Sequence, residues 1–249
     1  MAANAMDIRI VGLGGLPEVR SGDDLAGLIL AAAAHAGETI AQETIVVVAQ
    51  KIVSKSEGAI VDLGEIQPSE FAAQWAKQWG KDARLIELIL RQSRRIVRMD
   101  RGVLIVETHH GFVAANAGVD QSNVPGEGFA TVLPSDPDAS ARALRHRLNC
   151  GALLITDSFG RPWREGLVNV AIGVSGMEAL EDCRGTLDRD RHVLQATIVA
   201  CTDELAAAAG LVMKKADGVP VALIHGFQWP PAEGSSKPLI RRPEHDLFR

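Results

Sequence analysis

The chain has 249 residues, of which 47% are hydrophobic and 23% charged. These values are ordinary for a globular protein and allow a sizeable core without disulfides. The net charge of -5 and the lack of a long basic run argue against nucleic-acid binding, which needs a clustered basic footprint. No apolar run reaches the ~18 residues of a membrane span, and the first eleven residues lack a signal-peptide pattern. We therefore expect a cytoplasmic protein with no membrane partner.

The three cysteines are Cys150, Cys183 and Cys201. Their number is odd and no CxxC pair occurs, which is typical of unpaired thiols in a reducing compartment. We interpret them as small hydrophobic side chains, and a catalytic thiol is the less favoured alternative.

The first elements are predicted from local patterns. Residues 8–11 are predicted to form a short strand, which runs into a glycine-rich loop that ends at Pro17. Ser21 is predicted to cap a helix, with Asp24 as its capping-box acid and Gly37 as its stop signal. Residues 44–49 are predicted to form a buried strand that leaves through a polar, basic turn at 51–55.

The remaining predicted elements mix helices and strands without a regular alternation. The predicted helices are 69–79, 82–92, 136–148 and 193–214, and the predicted strands are 95–99, 103–107, 152–156, 168–174 and 220–224. A long loop rich in glycine and asparagine is expected over 109–125. This order favours the α+β class over a doubly wound parallel sheet.

Standard nucleotide-binding motifs are absent from the sequence. Gly12 and Gly14 match the Rossmann fingerprint, but Pro17 stands at its third glycine. No segment supplies the G-x-x-x-x-G-K-[ST] of a P-loop. We therefore expect neither a P-loop nor a Rossmann fold, and the glycine loop alone could equally be a surface turn.

Three polar clusters could carry chemistry. Lysines and hydroxyls follow the strand at 44–49 and could bind phosphate, although an exposed polar turn would have the same composition. Asp120 lies among asparagines and could ligate a hard cation or form an Asx turn. Asp157 and Ser158 are expected where the strand at 152–156 ends, with Arg161 close by, and could form a metal site or a structural Asp–Arg pair.

Five motifs in order resemble the F420-0:glutamate ligase family. They are VVVAQKIVSKSEG, ETHHGFVAANAGVDQSN, TDSFGRPWREG, NVAIGVSG and DCRGTLD. The resemblance covers residues 8 to 227 and is far more specific than any single motif. It implies two intimately packed α+β subdomains of a fold unlike the P-loop within a domain over 1–228. The prolines and the Gly-Ser-Ser sequence from Trp229 onward predict a C-terminal tail over 229–249, extended over the surface or over a partner subunit.

The resemblance implies an enzyme, an amide-forming acid–amino-acid ligase that hydrolyses GTP. It would add L-glutamate to the lactyl carboxylate of coenzyme F420-0 through an acyl phosphate. Mn²⁺ or Mg²⁺ is the implied cofactor, with K⁺ as a further candidate, and a homodimer is the implied assembly. A related ligase for another acceptor or amino acid, or a non-catalytic GTP- or deazaflavin-binding homologue, remains the alternative.

Site residues are carried over from the family's motifs by position. The metal ligands would be Asp120, Asp157 and Ser158, where Ser158 replaces the threonine common in the family. Lys55 and Arg161 would neutralise charge during catalysis. The nucleotide would be contacted by Leu16, Pro17, Glu18, Val19, Gln50, Lys55, Asn123 and Lys215.

One departure from the family pattern concerns the same site. Met213 is followed by Lys214 and Lys215, where the family commonly has glycine and glutamine. An ammonium cannot ligate a metal, but it can neutralise phosphate charge. The number of metals and the preferred nucleotide or acceptor therefore stay open at this position.

Overall fold

The computed structural model describes residues 7–124, 126, 128–214 and 216–246. Helices and strands alternate irregularly along this part of the chain. The strands are β1 (Arg9–Leu13), β2 (Ile45–Ala49), β3 (Ile60–Asp62), β4 (Ser93–Asp100), β5 (Val103–Thr108), β6 (Val113–Ala115), β7 (Phe129–Thr131), β8 (Ala152–Arg161), β9 (Arg164–Ser175), β10 (Glu181–Asp182), β11 (Ile198–Val199) and β12 (Val221–His225). The α-helices are α1 (Leu25–His35), α2 (Gln50–Ser56), α3 (Glu70–Trp79), α4 (Ala83–Arg91), α5 (Pro137–Leu148) and α6 (Cys201–Met213), and short 3-10 helices span Leu63–Glu65, Asn116–Gly118, Lys237–Leu239 and Pro243–His245.

A mixed sheet of five strands, in the order β1-β12-β2-β8-β9, forms the centre. Only β2 and β8 are parallel neighbours, and the other neighbouring strands are antiparallel. Side chains alternate across a strand, so Val46 and Val48 of β2 join a core with α1 and α5, while Ile45 and Val47 join a core with α6. Both faces of the sheet are therefore covered, which explains the continuous apolar sequence of β2.

A second group of elements packs around its own core. Helices α3 and α4 cover the antiparallel sheet β4-β5-β6. Ile89 of α4 and Leu104 and Val106 of β5 are buried there. Leu63 and Ala130 form a further small core beside the antiparallel pair β3–β7. This mixed arrangement confirms the predicted α+β class.

Two predictions near the N-terminus are wrong in detail. Asp24, not Ser21, caps α1, since its side chain accepts a hydrogen bond from the Gly27 backbone N–H at 2.9 Å. The predicted turn at 51–55 is helical and belongs to α2. Its polar composition suggested a turn, but buried Val53 anchors the segment in the core, and tertiary packing outweighs local propensity.

Two predicted element boundaries in the C-terminal half, the end of a strand and the start of a helix, are also wrong. Strand β8 does not end at Thr156 but continues to Arg161, because the backbone of its polar half pairs with β9. Asp157 thus lies inside a strand. The helix predicted over 193–214 begins only at Cys201, since Ile198 and Val199 pair with β10.

The C-terminal segment packs against the same chain. The Trp229 indole N–H donates to the Gly176 carbonyl at 3.1 Å. Asp138 of α5 accepts hydrogen bonds from the Ser236 backbone N–H at 2.9 Å and the Ser235 hydroxyl at 2.6 Å. These bonds hold the tail against α5 and against Gly176, which follows β9. The separation of the tail as a distinct segment from residue 229 stays a prediction. Among the described residues, no helix has both the length and the apolar character needed to cross a bilayer.

Candidate functional site

A cleft of about 560 Å³ opens at the carboxyl ends of the parallel strands β2 and β8. Ala49 and Thr156, the register partners at this end, both line it. Loops at the carboxyl ends of parallel strands are the usual place for ligand sites in sheets of this kind. The other lining residues are Leu16, Pro17, Glu18, Val19, Gln50, Lys51, Ile52, Lys55, Asp120, Ser122, Asn123, Asp157, Ser158, Leu167, Asn169, Met213, Lys214, Gly218, Val219 and Pro220.

Lys55 supplies a buried positive charge on one wall of the cleft. It belongs to α2, its side chain is 4% exposed, and its ammonium forms an ion pair with the Glu18 carboxylate. Glu18 is 62% exposed and belongs to the loop after β1, whose Val19 is anchored in the core. A buried ammonium needs an anionic partner, and an exposed carboxylate is one that an anionic ligand can replace.

Lys51 forms an ion pair with the Asp120 carboxylate. Its Nζ lies 2.7 Å from Asp120 Oδ2 and donates to the Ser122 carbonyl at 3.0 Å and to the Ser122 hydroxyl at 2.5 Å. Asp120 also accepts from the Ser122 backbone N–H at 2.7 Å, which is an Asx turn. The Asx turn, one of the two interpretations of Asp120 from the sequence, is therefore confirmed, and the role of Asp120 as a cation ligand stays a prediction.

These bonds determine the ionisation of Asp120. Burial disfavours the charged form, but the hydrogen bonds from Lys51 and Ser122 outweigh it, so the pKa of Asp120 is below its ordinary value. The carboxylate is consequently ionised at neutral pH. The cation beside this carboxylate in the structure is the Lys51 ammonium.

Ser158 is oriented by Asn169 on the neighbouring strand. The Ser158 hydroxyl donates to Asn169 Oδ1 at 2.8 Å, and the two residues are register partners. Asn169 in turn lies against Gly210 of α6, where an added Cβ would approach Asn169 Nδ2 to 3.1 Å. A register shift beside Thr156 fits the tendency of β-bulges to redirect side chains next to functional sites.

Thr156 carries an unsatisfied polar atom on the cleft wall. The residue is 3% exposed, and its Oγ1 has no hydrogen-bond partner among the described residues. An unpaired buried hydroxyl costs free energy, so the Thr156 hydroxyl is available to hydrogen-bond a ligand in the cleft.

The donor atoms of the cleft fit a hard divalent cation. Asp120 and Asp157 offer carboxylates, Ser158 a hydroxyl and Asn169 an amide oxygen, and Mg²⁺ and Mn²⁺ prefer oxygen ligands of these kinds. Within the described ranges, no group of three or more His, Cys, Asp or Glu residues is arranged to hold a metal. Any metal in this cleft would therefore need hydroxyl, amide or substrate oxygens as well.

The structure brings most of the predicted site residues together, and their roles stay predictions. Gln50 lines the cleft, but its amide nitrogen already donates to the Ser54 hydroxyl at 2.5 Å and the Val132 carbonyl at 3.2 Å. Asn123 is exposed on the cleft's rim. Arg161 is not among the lining residues, since it lies near the tip of the β8–β9 hairpin and donates to the Glu165 carbonyl. Lys215 lies outside the described residues.

Several lining residues were not assigned a role from the sequence. For Asn169, the apolar pattern over 168–174 predicts only a strand position, although a polar residue in an apolar run can indicate a functional side chain. For Thr156, the sequence pattern predicts only a position in the strand over 152–156. Lys51 is one of the lysines predicted to bind phosphate after the strand at 44–49. Its ion pair with Asp120 joins residues 69 positions apart in the sequence, and no local pattern predicts it.

Comparison with known proteins identifies the family. A model of the family described as F420-0:Gamma-glutamyl ligase matches residues 14–226. A relative named coenzyme F420:L-glutamate ligase in Methanothermobacter thermautotrophicus is 46% identical over 98% of this chain and 100% of its own length. A relative of the same name in Methanopyrus kandleri is 45% identical over 95% of this chain and 100% of its own length. Another in Archaeoglobus fulgidus is 36% identical over 98% of this chain and 97% of its own length. The chain therefore belongs to the F420-0:gamma-glutamyl ligase family.

Proposed function

We propose that this chain joins L-glutamate to the lactyl carboxylate of coenzyme F420-0 at the expense of GTP. The names of its relatives support the reaction. One observation carries the assignment of the site: three lysines and two aspartates, drawn from α2, the end of α6, β8 and the loop at Asp120, line a single cleft at the carboxyl ends of β2 and β8. Phosphoryl transfer needs this combination of cations for the phosphates and oxygen ligands for a metal.

The proposed reaction has two displacements. A free carboxylate is a poor electrophile, so its oxygen first attacks the γ-phosphorus of GTP, the bond to the β-phosphate oxygen breaks, and GDP leaves. The glutamate amine then attacks the acyl carbon of the acyl phosphate and loses a proton, and inorganic phosphate departs. The products are one amide, GDP and phosphate. The protein contributes positioning and charge neutralisation in both steps.

The lysines of the cleft would neutralise the transferring phosphoryl group. The pairing of Lys55 with exposed Glu18 supports this role, because phosphate oxygens can take the place of that carboxylate. Arg161 is a second candidate, and it would have to leave its carbonyl partners on the hairpin. The loop Leu16 to Val19, Gln50, Asn123 and Lys215 would contact the nucleotide.

Asp120, Asp157 and Ser158 would hold Mg²⁺ or Mn²⁺, with K⁺ as a further candidate ion. When bound, the divalent ion would offset negative charge on the nucleotide phosphates. Lys51 would first have to leave Asp120, and the phosphates would offer its ammonium a new partner. Asn169 would keep the Ser158 hydroxyl in place, as its 2.8 Å hydrogen bond indicates.

We further propose that the chain acts in the cytoplasm as a homodimer. The β8–β9 hairpin supports the dimer, since Trp163 and Leu167 near its tip are 79% and 66% exposed. Apolar side chains of this size on a projecting hairpin are typical of an interaction surface.

A single assay tests the proposed reaction. The protein is incubated with GTP, Mn²⁺, L-glutamate and coenzyme F420-0, and the products are identified by mass. We expect GDP together with an acceptor that has gained a glutamyl residue. GDP formation with a different acceptor or amino acid would instead indicate a related ligase, and nucleotide binding without any product would indicate a non-catalytic homologue.

A further inference from the structure

A second concave surface lies away from the cleft, between the C-terminal tail and the neighbouring elements. This surface, here called the tail groove, has a volume of about 1090 Å³. It is lined by the tail segment from Lys237 to His245 and by residues that include Arg94, His110 and Arg184. The groove borders α6 near its start at Ala200, whereas the cleft borders α6 near its end at Met213. Thirteen residue steps separate Ala200 from Met213, which is roughly 20 Å at about 1.5 Å per residue.

The tail is fixed in the position that forms the groove. Buried Asp138 accepts hydrogen bonds from the Ser235 hydroxyl and the Ser236 backbone N–H. Beyond this anchor, Ile240 packs closely on Gly111, where an added Cβ would lie 3.2 Å from Ile240 Cδ1. The tail groove is therefore part of the folded structure, with its wall held at two points.

Positive charge predominates in the tail groove. Its lining includes five arginines and lysines but only two acids, Glu107 and Asp203, although the whole chain has a net charge of -5. Arg184 is paired with Asp182 at 2.6 Å, and Arg94 lies 3.7 Å from Glu107. The remaining cations come from the tail.

The tail cations have no acidic partner among the residues that the structure describes. Lys237 and Arg242 form no ion pair within the described part of the chain, and Arg241 donates only to the His245 carbonyl, at 3.5 Å. Like charges held in one concave surface repel each other, and low-dielectric walls strengthen their field. An anion in the groove would relieve this repulsion.

The size and remaining lining of the tail groove favour an extended ligand over a single small ion. Leu180, Ile198, Leu239 and Ile240 provide apolar surface beside the charges. His110 stacks on Phe112 and has a buried Nδ1 without a hydrogen-bond partner among the described residues. Small-molecule sites of about 300–1,000 Å³ usually combine an apolar lining with a few polar groups, and the volume of the tail groove, about 1090 Å³, is slightly above that range.

We propose that the tail groove is a second ligand site, which binds a small organic or inorganic polyanion with several carboxylates or phosphates along a chain. Lys237, Arg241 and Arg242 contact its acidic groups. The site does not depend on the reaction proposed for the cleft. Two kinds of compound share this chemistry, oligo-γ-glutamates and linear polyphosphates, and the test separates them.

Isothermal titration calorimetry of the full-length chain with tri-γ-glutamate, and separately with tripolyphosphate, tests the proposal. We expect at least one of the two to bind with one site per chain, and to bind more weakly as NaCl is raised from about 50 to 300 mM. The double variant Lys237→Glu, Arg242→Glu should weaken this binding at least tenfold. Arg189→Glu, a charge reversal at an exposed arginine outside the groove, should change it less than twofold.

A further variant distinguishes the groove from the cleft. Lys55→Ala should leave the binding intact, since Lys55 lines only the cleft. The proposal is overturned if neither compound binds, if the double variant binds as well as the unaltered chain, or if Lys55→Ala abolishes binding. If the double variant unfolds, as judged by circular dichroism, Lys237→Gln with Arg242→Gln replaces it and should still weaken binding about fivefold.

Discussion

The Lys51 ammonium lies 2.7 Å from Asp120 Oδ2 and also contacts two oxygens of Ser122. The Lys51 side chain is only 21% exposed. One of the two aspartates in the cleft thus has an internal cation as its partner. In the proposed reaction, a metal or a nucleotide phosphate would compete with this pairing, and Lys51 would thereby lower the affinity of the site for the metal.

Replacing Lys51 with methionine should therefore tighten metal binding. Removal of the internal ammonium leaves Asp120 without its main counter-charge, and Mn²⁺ affinity in the absence of nucleotide should rise up to about tenfold, or ~1.4 kcal/mol. Electron paramagnetic resonance of free Mn²⁺ measures this directly. Lys77→Met, on the exposed face of α3, is the matched control and should not change the affinity. Weaker Mn²⁺ binding in Lys51→Met would contradict competition by Lys51.

Thr156→Val tests whether the unsatisfied hydroxyl serves a ligand. The substitution replaces a buried hydroxyl that has no partner among the described residues with a methyl group of similar size. Stability should stay equal or increase by about 1 kcal/mol, because no internal hydrogen bond is lost. Nucleotide or metal affinity should fall at least threefold. Chemical denaturation and calorimetry give the two quantities, and a destabilised variant with normal affinity would show that the hydroxyl is structural.

Asp138 should be a stability determinant of the tail. Its carboxylate accepts three hydrogen bonds, from the Val174 and Ser236 backbone N–H groups at 2.9 Å and the Ser235 hydroxyl at 2.6 Å. Asp138→Ala should cost about 3 kcal/mol, since it leaves buried N–H groups unpaired. Asp138→Asn keeps an acceptor oxygen and should cost only about 1 kcal/mol. Urea unfolding of both variants is the measurement, and equal losses would show that the hydrogen bonds are not the cause.

Cys150 should be inert while the protein is folded. Burial raises the pKa of its thiol to about 12, so the thiolate fraction at pH 8 is on the order of 10⁻⁴. The unfolded thiol ionises near pH 8.5, so this group removes native stability as the pH rises above that value. Maleimide labelling at pH 8, read by peptide mass, should modify the half-buried Cys183 first and Cys150 only after denaturation. Rapid labelling of native Cys150 would contradict its burial.

The sequence predicted the fold class and most elements well, because periodic apolar runs and helix caps are local signals. The helices predicted over 69–79 and 136–148 occur as α3 and α5, each within one residue of the predicted ends. The helical α2 and the polar half of β8 were missed, since core packing of Val53 and backbone pairing with β9 decide those segments. Local polarity carries no information on either interaction.

The candidate site was predicted only as separate pieces. Asp120 and Asp157 could be recognised through motifs, because residue type and order are visible in the sequence. The contacts between Lys51 and Asp120 and between Ser158 and Asn169 depend on tertiary geometry. The register shift beside Thr156 is likewise a property of strand pairing that composition does not encode.

The most direct test of the proposed reaction follows the oxygen atoms of the acceptor. The carboxylate of coenzyme F420-0 is labelled with ¹⁸O and incubated with the protein, GTP, Mn²⁺ and L-glutamate, and the inorganic phosphate is analysed by mass. An acyl phosphate intermediate predicts one ¹⁸O atom in each phosphate released with the amide product. Asp157→Asn should keep the fold and lose both products at least a hundredfold. Amide formation with unlabelled phosphate, or near-normal turnover in Asp157→Asn, would contradict the proposal.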